Sequence, residues 1–192
     1  TGTNDAPVAS PGVLAATEVG AAVSGQLVAS DVDTSDQLTF SLIDAPVEGV
    51  AIVNADGSYS FDPADGFQDL GVGETRDVEF TYQVDDGNGG VDSATVTITV
   101  TGTNDAPVAS PGVLAATEDG AAVNGQLIAS DVDANDQLTF SLLDGPAEGA
   151  VLVNADGSYS FDPGNGFQDL GVGETRDVEF TYQVDDGNGG VD

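Results

Sequence analysis

Residues 78–100 read VEFTYQVDDGNGGVDSATVTITV, and this stretch decides the fold class. Apolar residues occupy every second position over residues 78–84 and again over residues 94–100, where threonines fill the positions between them. A period of two is typical of β-strands that bury one face and expose the other. The stretch therefore predicts two half-buried strands, separated by the acidic, glycine-rich run DDGNGG at residues 85–90.

Shorter stretches upstream carry the same strand and turn signals. An Asn-Ala-Asp-Gly run at residues 54–57 predicts a hairpin turn in which Gly57 adopts a positive φ. About seven short strands in a hundred residues predict an all-β, immunoglobulin-like antiparallel β-sandwich, with another antiparallel β architecture as the alternative. The remaining predicted strands lie near residues 8–14, 22–29, 37–43, 50–54 and 58–62.

The chain contains two copies of one sequence. Residues 1–92 align without a gap to residues 101–192, and thirteen of the 92 positions differ, which leaves 79 identical. A period of 100 residues fits one small independent domain rather than a solenoid repeat. We therefore predict β-sandwich domains at residues 1–100 and 106–192, joined by a linker at residues 101–105.

The second copy has no counterpart of residues 93–100, so its final strand is missing from the sequence. We interpret this difference as a sign that the sequence is taken from a longer array of copies, and we expect a parent protein with further repeats. Without that strand the second domain would expose a sheet edge with which another chain could pair.

The composition combines a globular apolar content with an extreme negative charge. Apolar residues make up 40% of the 192 residues, which is enough for folded cores. Asp and Glu number 34 against two basic residues, Arg76 and Arg176, and the formal net charge is −32. We expect neither nucleic acid nor a membrane as a partner, because phosphates and anionic lipids would be repelled. With no Cys and no His, the available ligands are carboxylates, amides and carbonyls, which suit Ca²⁺.

The acidic residues fall into loops that alternate between two ends of the predicted sandwich. We call the end at which the chain enters the upper end, and the opposite end the lower end. In the first copy, Glu18 and Glu74 are predicted at the lower end. The predicted upper-end residues are Asn4, Asp5, Asp31, Asp33, Asp85 and Asp86 in the first copy, and Asn104, Asp105, Asp131, Asp133, Asp185 and Asp186 in the second.

Because the linker is short, we predict that Glu18 and Glu74 face the upper-end residues of the second copy. Close carboxylates repel each other, and Ca²⁺, which takes six to eight oxygen ligands, would convert that repulsion into coordination. The run Asp-Val-Asp at residues 31–33 has the spacing that opens calcium loops, although residues 31–42 lack the glycine and glutamate of an EF-hand. Residues 85–90 and 104–107 are also typical of ordinary turns.

Two stretches resemble known repeat families. Residues 73–107, GETRDVEFTYQVDDGNGGVDSATVTITVTGTNDAP, resemble the end of a VCBS-type repeat and the linker into the next one. Such repeats occur in large bacterial surface adhesins, including those of the RTX kind. Residues 28–42, VASDVDTSDQLTFSL, resemble cadherin repeats, which carry an Asp-x-Asp motif at this place.

The resemblance implies a cadherin-like sandwich with Ca²⁺ at the interdomain linkers. The sequence departs from cadherins at two places, since Glu74-Thr-Arg-Asp stands where cadherins have Leu-Asp-Arg-Glu and the linker has fewer acids, so we expect only one or two ions per linker. The residues that match cadherin ligands are Glu18 and Glu118, Asp31 and Asp33, Asp131 and Asp133, Asp85 or Asp86, and Asp185 or Asp186.

These observations predict extender repeats of an extracellular bacterial adhesin, which form a monomeric rod with their identical neighbours as partners. The alternative is a calcium-dependent module for a glycan or for homotypic binding. Glycan sites usually offer exposed aromatic rings, and only Phe67 and Phe167, in predicted loops, are candidates for them. The charge could instead serve solubility without a metal. We expect no enzyme, because loop carboxylates in solvent are the only acid–base groups available.

Overall fold

The computed structural model describes residues 2–192 and is built from β-strands and loops alone over that range. It consists of two compact units, of which the first ends at Thr103 and the second is Asn104–Asp192. Within residues 2–192, no helix is present that could cross a membrane. The predicted all-β class is confirmed.

The strands of the first unit follow the predicted order and leave an acidic loop at the end of several of them. Their bounds are β1 (Val8–Ser10), β2 (Gly12–Thr17), β3 (Val23–Gln26), β4 (Val28–Ser30), β5 (Thr39–Asp44), β6 (Val50–Val53), β7 (Ser58–Asp62), β8 (Thr75–Asp85) and β9 (Val91–Thr101). The hairpin turn between β6 and β7 is confirmed, since Gly57 has φ 82° and its amide donates to the Asn54 carbonyl oxygen at 2.9 Å.

The strands of the first unit form sheets of order β2-β9-β8-β5 and β3-β7-β6, with β1 paired to β4. The prediction of one strand over residues 8–14 was wrong, because Pro11, which lacks an amide donor, divides it. After Pro11 the chain moves from its pairing with β4 to a pairing with β9. The β2–β9 pair is consequently parallel, whereas the other pairs of this unit are antiparallel.

The alternating residues of the predicted strands form the core of the first unit. Tyr59 and Phe80 pack edge to face with ring centroids 5.4 Å apart, and β9 contributes three completely buried aliphatic side chains. Phe67 also lies in this core, where its ring packs against Phe61 at 6.4 Å. The suggestion that Phe67 and Phe167 are exposed for glycan stacking was wrong, because both loops fold back and bury their rings.

The second unit repeats this arrangement in part. Residues 111–117 and 175–180 form no strand there, although they have the sequences found in β2 and β8. Its strands are β10 (Val108–Ser110), β11 (Val123–Gln126), β12 (Ile128–Ser130), β13 (Thr139–Asp144), β14 (Ala150–Val153), β15 (Ser158–Asp162) and β16 (Thr181–Asp185).

The hydroxyl of Tyr82 joins three strands of the first unit. It donates to the Ser10 carbonyl oxygen at 2.7 Å and lies 3.1 Å from the Val28 carbonyl oxygen, so β8 is tied to β1 and β4. Tyr182 makes the equivalent bond to Ser110 at 2.6 Å, but its side chain is less buried.

We expect Tyr82→Phe to lower the unfolding free energy of the first unit by about 1–2 kcal/mol, because partly buried backbone groups lose their partner. Tyr182→Phe should cost less, because water can replace the lost bond. Urea unfolding measures the energies, and hydrogen exchange at Ser10 and Ser110 assigns each effect to its unit. Equal losses in the two variants would contradict this account.

Candidate metal site

Three segments of the first unit meet at its upper end: the residues before β1, the loop after β4 and the loop after β8. The Asn4 side-chain amide donates to Oδ2 of Asp86 at 2.8 Å. The backbone amide of Asp5 donates to Oδ2 of Asp33 at 2.8 Å. The amide of Asp33 in turn donates to Oδ1 of Asp31 at 2.9 Å. Five of the six residues predicted at this end are thus joined to another of them by a hydrogen bond, and Asp85 is the exception.

Carboxylate oxygens of Asp31, Asp36 and Asp86 lie within 4.8 Å of one another. Asp86 is held in this group by the backbone amides of Asn88 and Gly90, which donate to its Oδ1 at 2.7 and 3.0 Å. The loop that follows β8 therefore fixes one carboxylate, while the loop that follows β4 supplies two.

The second unit brings together the same set of residues. Asn104 donates from Nδ2 to Oδ2 of Asp186 at 2.8 Å, and the amide of Asp105 donates to Oδ2 of Asp133 at 2.9 Å. Oxygens of Asp131, Asp136 and Asp186 again lie within 4.8 Å of one another. We name the two groups the upper-end clusters: Asp31, Asp36 and Asp86 in the first unit, and Asp131, Asp136 and Asp186 in the second.

Several buried oxygens at these clusters have no hydrogen-bond donor among the described residues. Asp133 is the clearest case, because its side chain is only 2% exposed while its Oδ1 has no donor. A buried acceptor without a partner costs about 1–3 kcal/mol, and more when it is charged. The other such oxygens are Oδ2 of Asp31, Asp36, Asp131 and Asp136, and Oδ1 of Asn104. These oxygens fit a bound cation, which is the partner that carboxylate and amide oxygens share.

No basic side chain offsets the charge of the upper-end clusters. The two arginines of the chain are engaged by other acids, since Arg76 binds Glu48 and Asp69 at 3.1 and 2.6 Å. Arg176 makes the equivalent contacts with Glu148 and Asp169. Two unit charges about 4 Å apart repel by about 4 kcal/mol at an effective dielectric constant of 20. A cluster of three carboxylates therefore strongly favours a divalent cation.

The environments of the buried acids shift their pKa values in opposite directions. Burial raises the pKa of Asp133, and the neighbouring charges of Asp136 and Asp105 raise it further. The hydrogen bond from Asn4 lowers the pKa of Asp86. Burial acts to raise the pKa of Asp186, but the bonds from Asn104 and from its own loop outweigh it, so that pKa is also lowered.

Sequence reasoning left the choice between two consecutive aspartates open, and it missed one cluster member in each copy. Asp86 and Asp186 join the clusters, whereas Oδ1 of Asp85 accepts the amide of Gly87 at 2.7 Å and so closes its own turn. Asp185 does the same with Gly187. The missed members are Asp36 and Asp136, and the signal for them was a third aspartate five positions after the first.

The lower-end acids of the first unit have separate surroundings. Glu18 is 1% exposed, and its Oε1 accepts both the amide and the hydroxyl of Thr103 at 2.7 Å, while its Oε2 has no donor among the described residues. Glu74 accepts the amide of Gly71 at 3.1 Å. In the second unit, Glu118 is only partly buried. The predicted approach of lower-end acids to the following repeat stays a prediction.

One protein family matches this chain by sequence, and its two matches together cover nearly the whole chain. The profile described as the bacterial cadherin-like domain matches residues 4–102 and 104–192, one match for each unit. Among curated proteins, no sequence matches this chain.

Solved structures with a similar fold include several animal cadherins. A fragment of mouse cadherin-23, EC22-24, superposes with a TM-score of 0.62 at 17% identity, over 97% of this chain and 62% of that one. Extracellular domains 1–4 of protocadherin gamma B7 give a TM-score of 0.60 at 16% identity, over 96% of this chain and 46% of that one. The protocadherin gamma B4 extracellular domain gives 0.57 at 18%, over 95% and 32%. The chain thus spans less than two thirds of each structure. The TM-scores indicate a shared fold, and at identities this low the similarity extends to the fold alone.

In metal-free protein, we expect carboxyl NMR titrations to place the pKa of Asp133 above the usual aspartate value and those of Asp86 and Asp186 below it. The stability that Asp133 contributes when protonated is then lost as pH rises through its raised pKa. Ionised Asp86 stabilises the fold at pH values above the pKa that it has in the unfolded chain. This stabilisation is lost as the pH falls through the lowered pKa of Asp86 in the folded chain. Asn4→Ala should raise the pKa of Asp86. An Asp133 carboxyl that titrates below the usual value would refute the assigned environment.

Proposed function

We propose that this chain, which belongs to the family of bacterial cadherin-like domains, is a pair of calcium-binding extender repeats from a large bacterial surface adhesin. The proposal of calcium binding rests on the upper-end clusters. In both units, carboxylates with buried oxygens that lack a donor among the described residues converge there. The resemblance of residues 73–107 to VCBS-type repeats supports the adhesin part.

The ligand types favour Ca²⁺ over other divalent cations. Carboxylate and amide oxygens suit hard cations, and neither cluster contains the nitrogen or sulfur ligands that zinc prefers. Mg²⁺ demands a near-ideal octahedral shell and gives up its waters reluctantly, whereas Ca²⁺ accepts an irregular shell of six to eight oxygens. An irregular group of acids from two loops is better matched to Ca²⁺.

Calcium would then contribute a large share of the stability of each unit. Extracellular calcium modules bind with Kd values of about 10⁻⁴–10⁻³ M, and a ligand at about 100 times its Kd adds about 2.7 kcal/mol. A small domain has a total stability of only about 5–15 kcal/mol. The metal would also remove the mutual repulsion of the clustered carboxylates.

The extender role rests on the near identity of the two copies. A structural spacer needs length and stiffness, and it does not need a different binding surface in each unit, so 79 identical positions out of 92 fit that role. We propose that such repeats lie outside the bacterial cell, have no catalytic function and hold a distal adhesive domain away from the surface. Calcium at the linker, with Glu18 and Glu74 among its ligands, is part of the same proposal.

We expect Ca²⁺ to raise the melting temperature of the chain by about 10 °C or more relative to EDTA. Asp136→Asn should weaken calcium binding by the second unit at least tenfold, as measured by calorimetric titration. The same variant should melt higher than the parent protein in EDTA, because it removes one of three repelling charges. A purely structural role for Asp136 would instead lower the melting temperature under both conditions.

Asp65→Asn is the matched control for this experiment. It removes one negative charge from a loop, and the second copy already has Asn165 at that position, so the change is compatible with the fold. This control should bind calcium as the parent protein does. A melting temperature that does not respond to Ca²⁺ in the parent protein would refute the calcium proposal.

We further expect calcium to stiffen the connection between the repeats. In NMR relaxation, both units should tumble with one common correlation time in Ca²⁺ and with two shorter, independent times in EDTA. Glu18→Gln should shift this response to higher calcium concentrations, and Asp65→Asn should leave it unchanged. Independent tumbling in saturating Ca²⁺ would remove the support for an extender while leaving calcium binding intact.

A further inference from the structure

Four Asn-Gly pairs in this chain are open to a reaction that needs no enzyme. The backbone amide nitrogen of the glycine attacks the side-chain carbonyl carbon, Cγ, of the asparagine, and glycine has no Cβ to obstruct this approach. A new C–N bond closes a succinimide ring, the bond from Cγ to the side-chain nitrogen breaks, and ammonia leaves with the proton of the glycine amide. Water then opens the ring to aspartate or isoaspartate. The four pairs are Asn88-Gly89, Asn124-Gly125, Asn165-Gly166 and Asn188-Gly189.

Secondary structure protects one of these pairs, and another is without consequence for the fold. Asn124-Gly125 lies in β11, where Gly125 pairs with Tyr159 and a Cβ on Gly125 would overlap the Tyr159 ring. Ring closure there requires the strand to come apart. Asn165-Gly166 lies in the loop after β15, where the first unit already has Asp65, so a carboxylate at this position is compatible with the fold.

The remaining two pairs lie in the loops that hold Asp86 and Asp186, and these loops require the glycine. Gly89 and Gly189 have φ 106° and 114°, values that residues with a Cβ rarely adopt. No atom outside the adjoining residues lies within 4 Å of the position that a Cβ would take at either glycine, so the surroundings are open. The conformation that positions each aspartate therefore makes the asparagine before the glycine reactive.

The closed loop restrains the reaction through hydrogen bonds to its aspartate. Oδ1 of Asp186 accepts the backbone amides of residues 188, 189 and 190 at 2.7, 2.9 and 3.0 Å. The Gly189 nitrogen that would attack is thus engaged by a carboxylate. Ring closure requires this bond to break, so the rate follows the opening of the loop.

The two asparagine side chains are held differently. Nδ2 of Asn188 donates to Oδ1 of Asp136 at 2.8 Å, and this bond must break before Cγ of Asn188 can rotate toward the nitrogen of Gly189. The Asn88 side chain is exposed and makes no hydrogen bond with another described residue. Asn88 is therefore freer to react than Asn188.

The position of Asn188 places the product at the second upper-end cluster. Its side-chain nitrogen lies 2.8 Å from an oxygen of Asp136, a member of that cluster. A carboxylate in place of this donor would add a fourth negative group to three, and like charges at such a separation repel strongly. Asn88 stands at the equivalent position of the loop in the first unit.

We infer that Asn88 and Asn188 are deamidation sites, at which a spontaneous reaction adds a carboxylate beside each upper-end cluster. Asp86 and Asp186 restrain the reaction by keeping the loops closed, and Asp136 restrains it further in the second unit. The modified fraction then rises with the age of the protein. The inference concerns the metal-free chain and does not rest on calcium binding. Under the proposed calcium binding, the added carboxylate would be a further oxygen ligand.

Peptide mapping by mass spectrometry measures the rate at each asparagine. The 192-residue chain is incubated in EDTA at mildly alkaline pH, and chymotryptic cleavage after Tyr82 and Tyr182 gives peptides of different length, which separate the two sites. We expect modification at Asn88 about tenfold faster than at Asn188, because the latter must also break its bond to a carboxylate. Asn124 should be the slowest. Equal rates at Asn88 and Asn124 would overturn the inference.

Removal of the acceptor in the second unit isolates the restraint by Asp136. Asp136→Ala should raise the rate at Asn188 to that of Asn88. Asp36→Ala, the matched change in the first unit, should leave the rate at Asn88 unchanged. A rise at Asn124 in the same sample would report unfolding, and Asp136→Asn, which keeps an oxygen acceptor without the charge, should then give an intermediate rate. An unchanged rate at Asn188 in both variants would overturn the role of Asp136.

The charge added by the reaction has a matched control elsewhere in the chain. Asn188→Asp carries the aspartate product from the start, and Asn165→Asp adds the same charge where the first unit has Asp65. In EDTA, we expect Asn188→Asp to melt about 5 °C below the parent protein, because a like charge joins the cluster, and Asn165→Asp to melt within about 1 °C of it. Equal melting temperatures of the two variants would overturn the placement of the product at the cluster.

Discussion

The pairing of β8 with β9 is the interaction on which most of the first unit depends. It buries the aliphatic face of β9 against the aromatic core, and the loop between the two strands holds Asp86 at the upper end. The second unit separates these two effects. Val191 and Asp192, which pair with Asp185 and Val184, are sufficient to keep the loop of Asp186 closed, whereas Leu114 in the second unit is 43% exposed. The geometry of the upper-end cluster therefore depends only on the first residues after this loop, while the core of the first unit depends on the whole of β9.

The sequence was sufficient for most of the strands and for most of the acidic residues that converge at the upper ends, because both depend on local patterns. Alternation over residues 78–84 and 94–100 reports which face is buried, and the turn at Gly57 requires a residue that tolerates positive φ. The parallel pairing of β2 was not foreseen, since a single proline decides where the chain changes partners. Asp36 was missed because its position depends on how the loop after β4 turns, and Phe67 was misplaced because a loop residue can still fold into the core.

The two units differ in how well their lower ends are enclosed. Glu18 is almost completely buried beside Thr103, and its amide donates to the carbonyl oxygen of Thr101, the last residue of β9. Glu118 follows the same seven residues in sequence as Glu18 does, yet its side chain is only partly buried. A completed last strand thus does more than fill the core, because it also brings the chain that follows it against the glutamate of the opposite loop.

Within the second upper-end cluster, the two sides are held unequally. Asp186 accepts bonds from Asn104 and from three backbone amides of its own loop, while Asp131, Asp133 and Asp136 each present one oxygen without a donor among the described residues. The Asp186 side is thus held by more hydrogen bonds, and under the proposed calcium binding the carboxylates of the other loop would adjust to the radius of the ion. The two copies differ there, with Thr34 and Ser35 replaced by Ala134 and Asn135. Under the proposed calcium binding, repeats with identical acids would therefore differ in the ion size that they prefer, through the residues that lie between those acids.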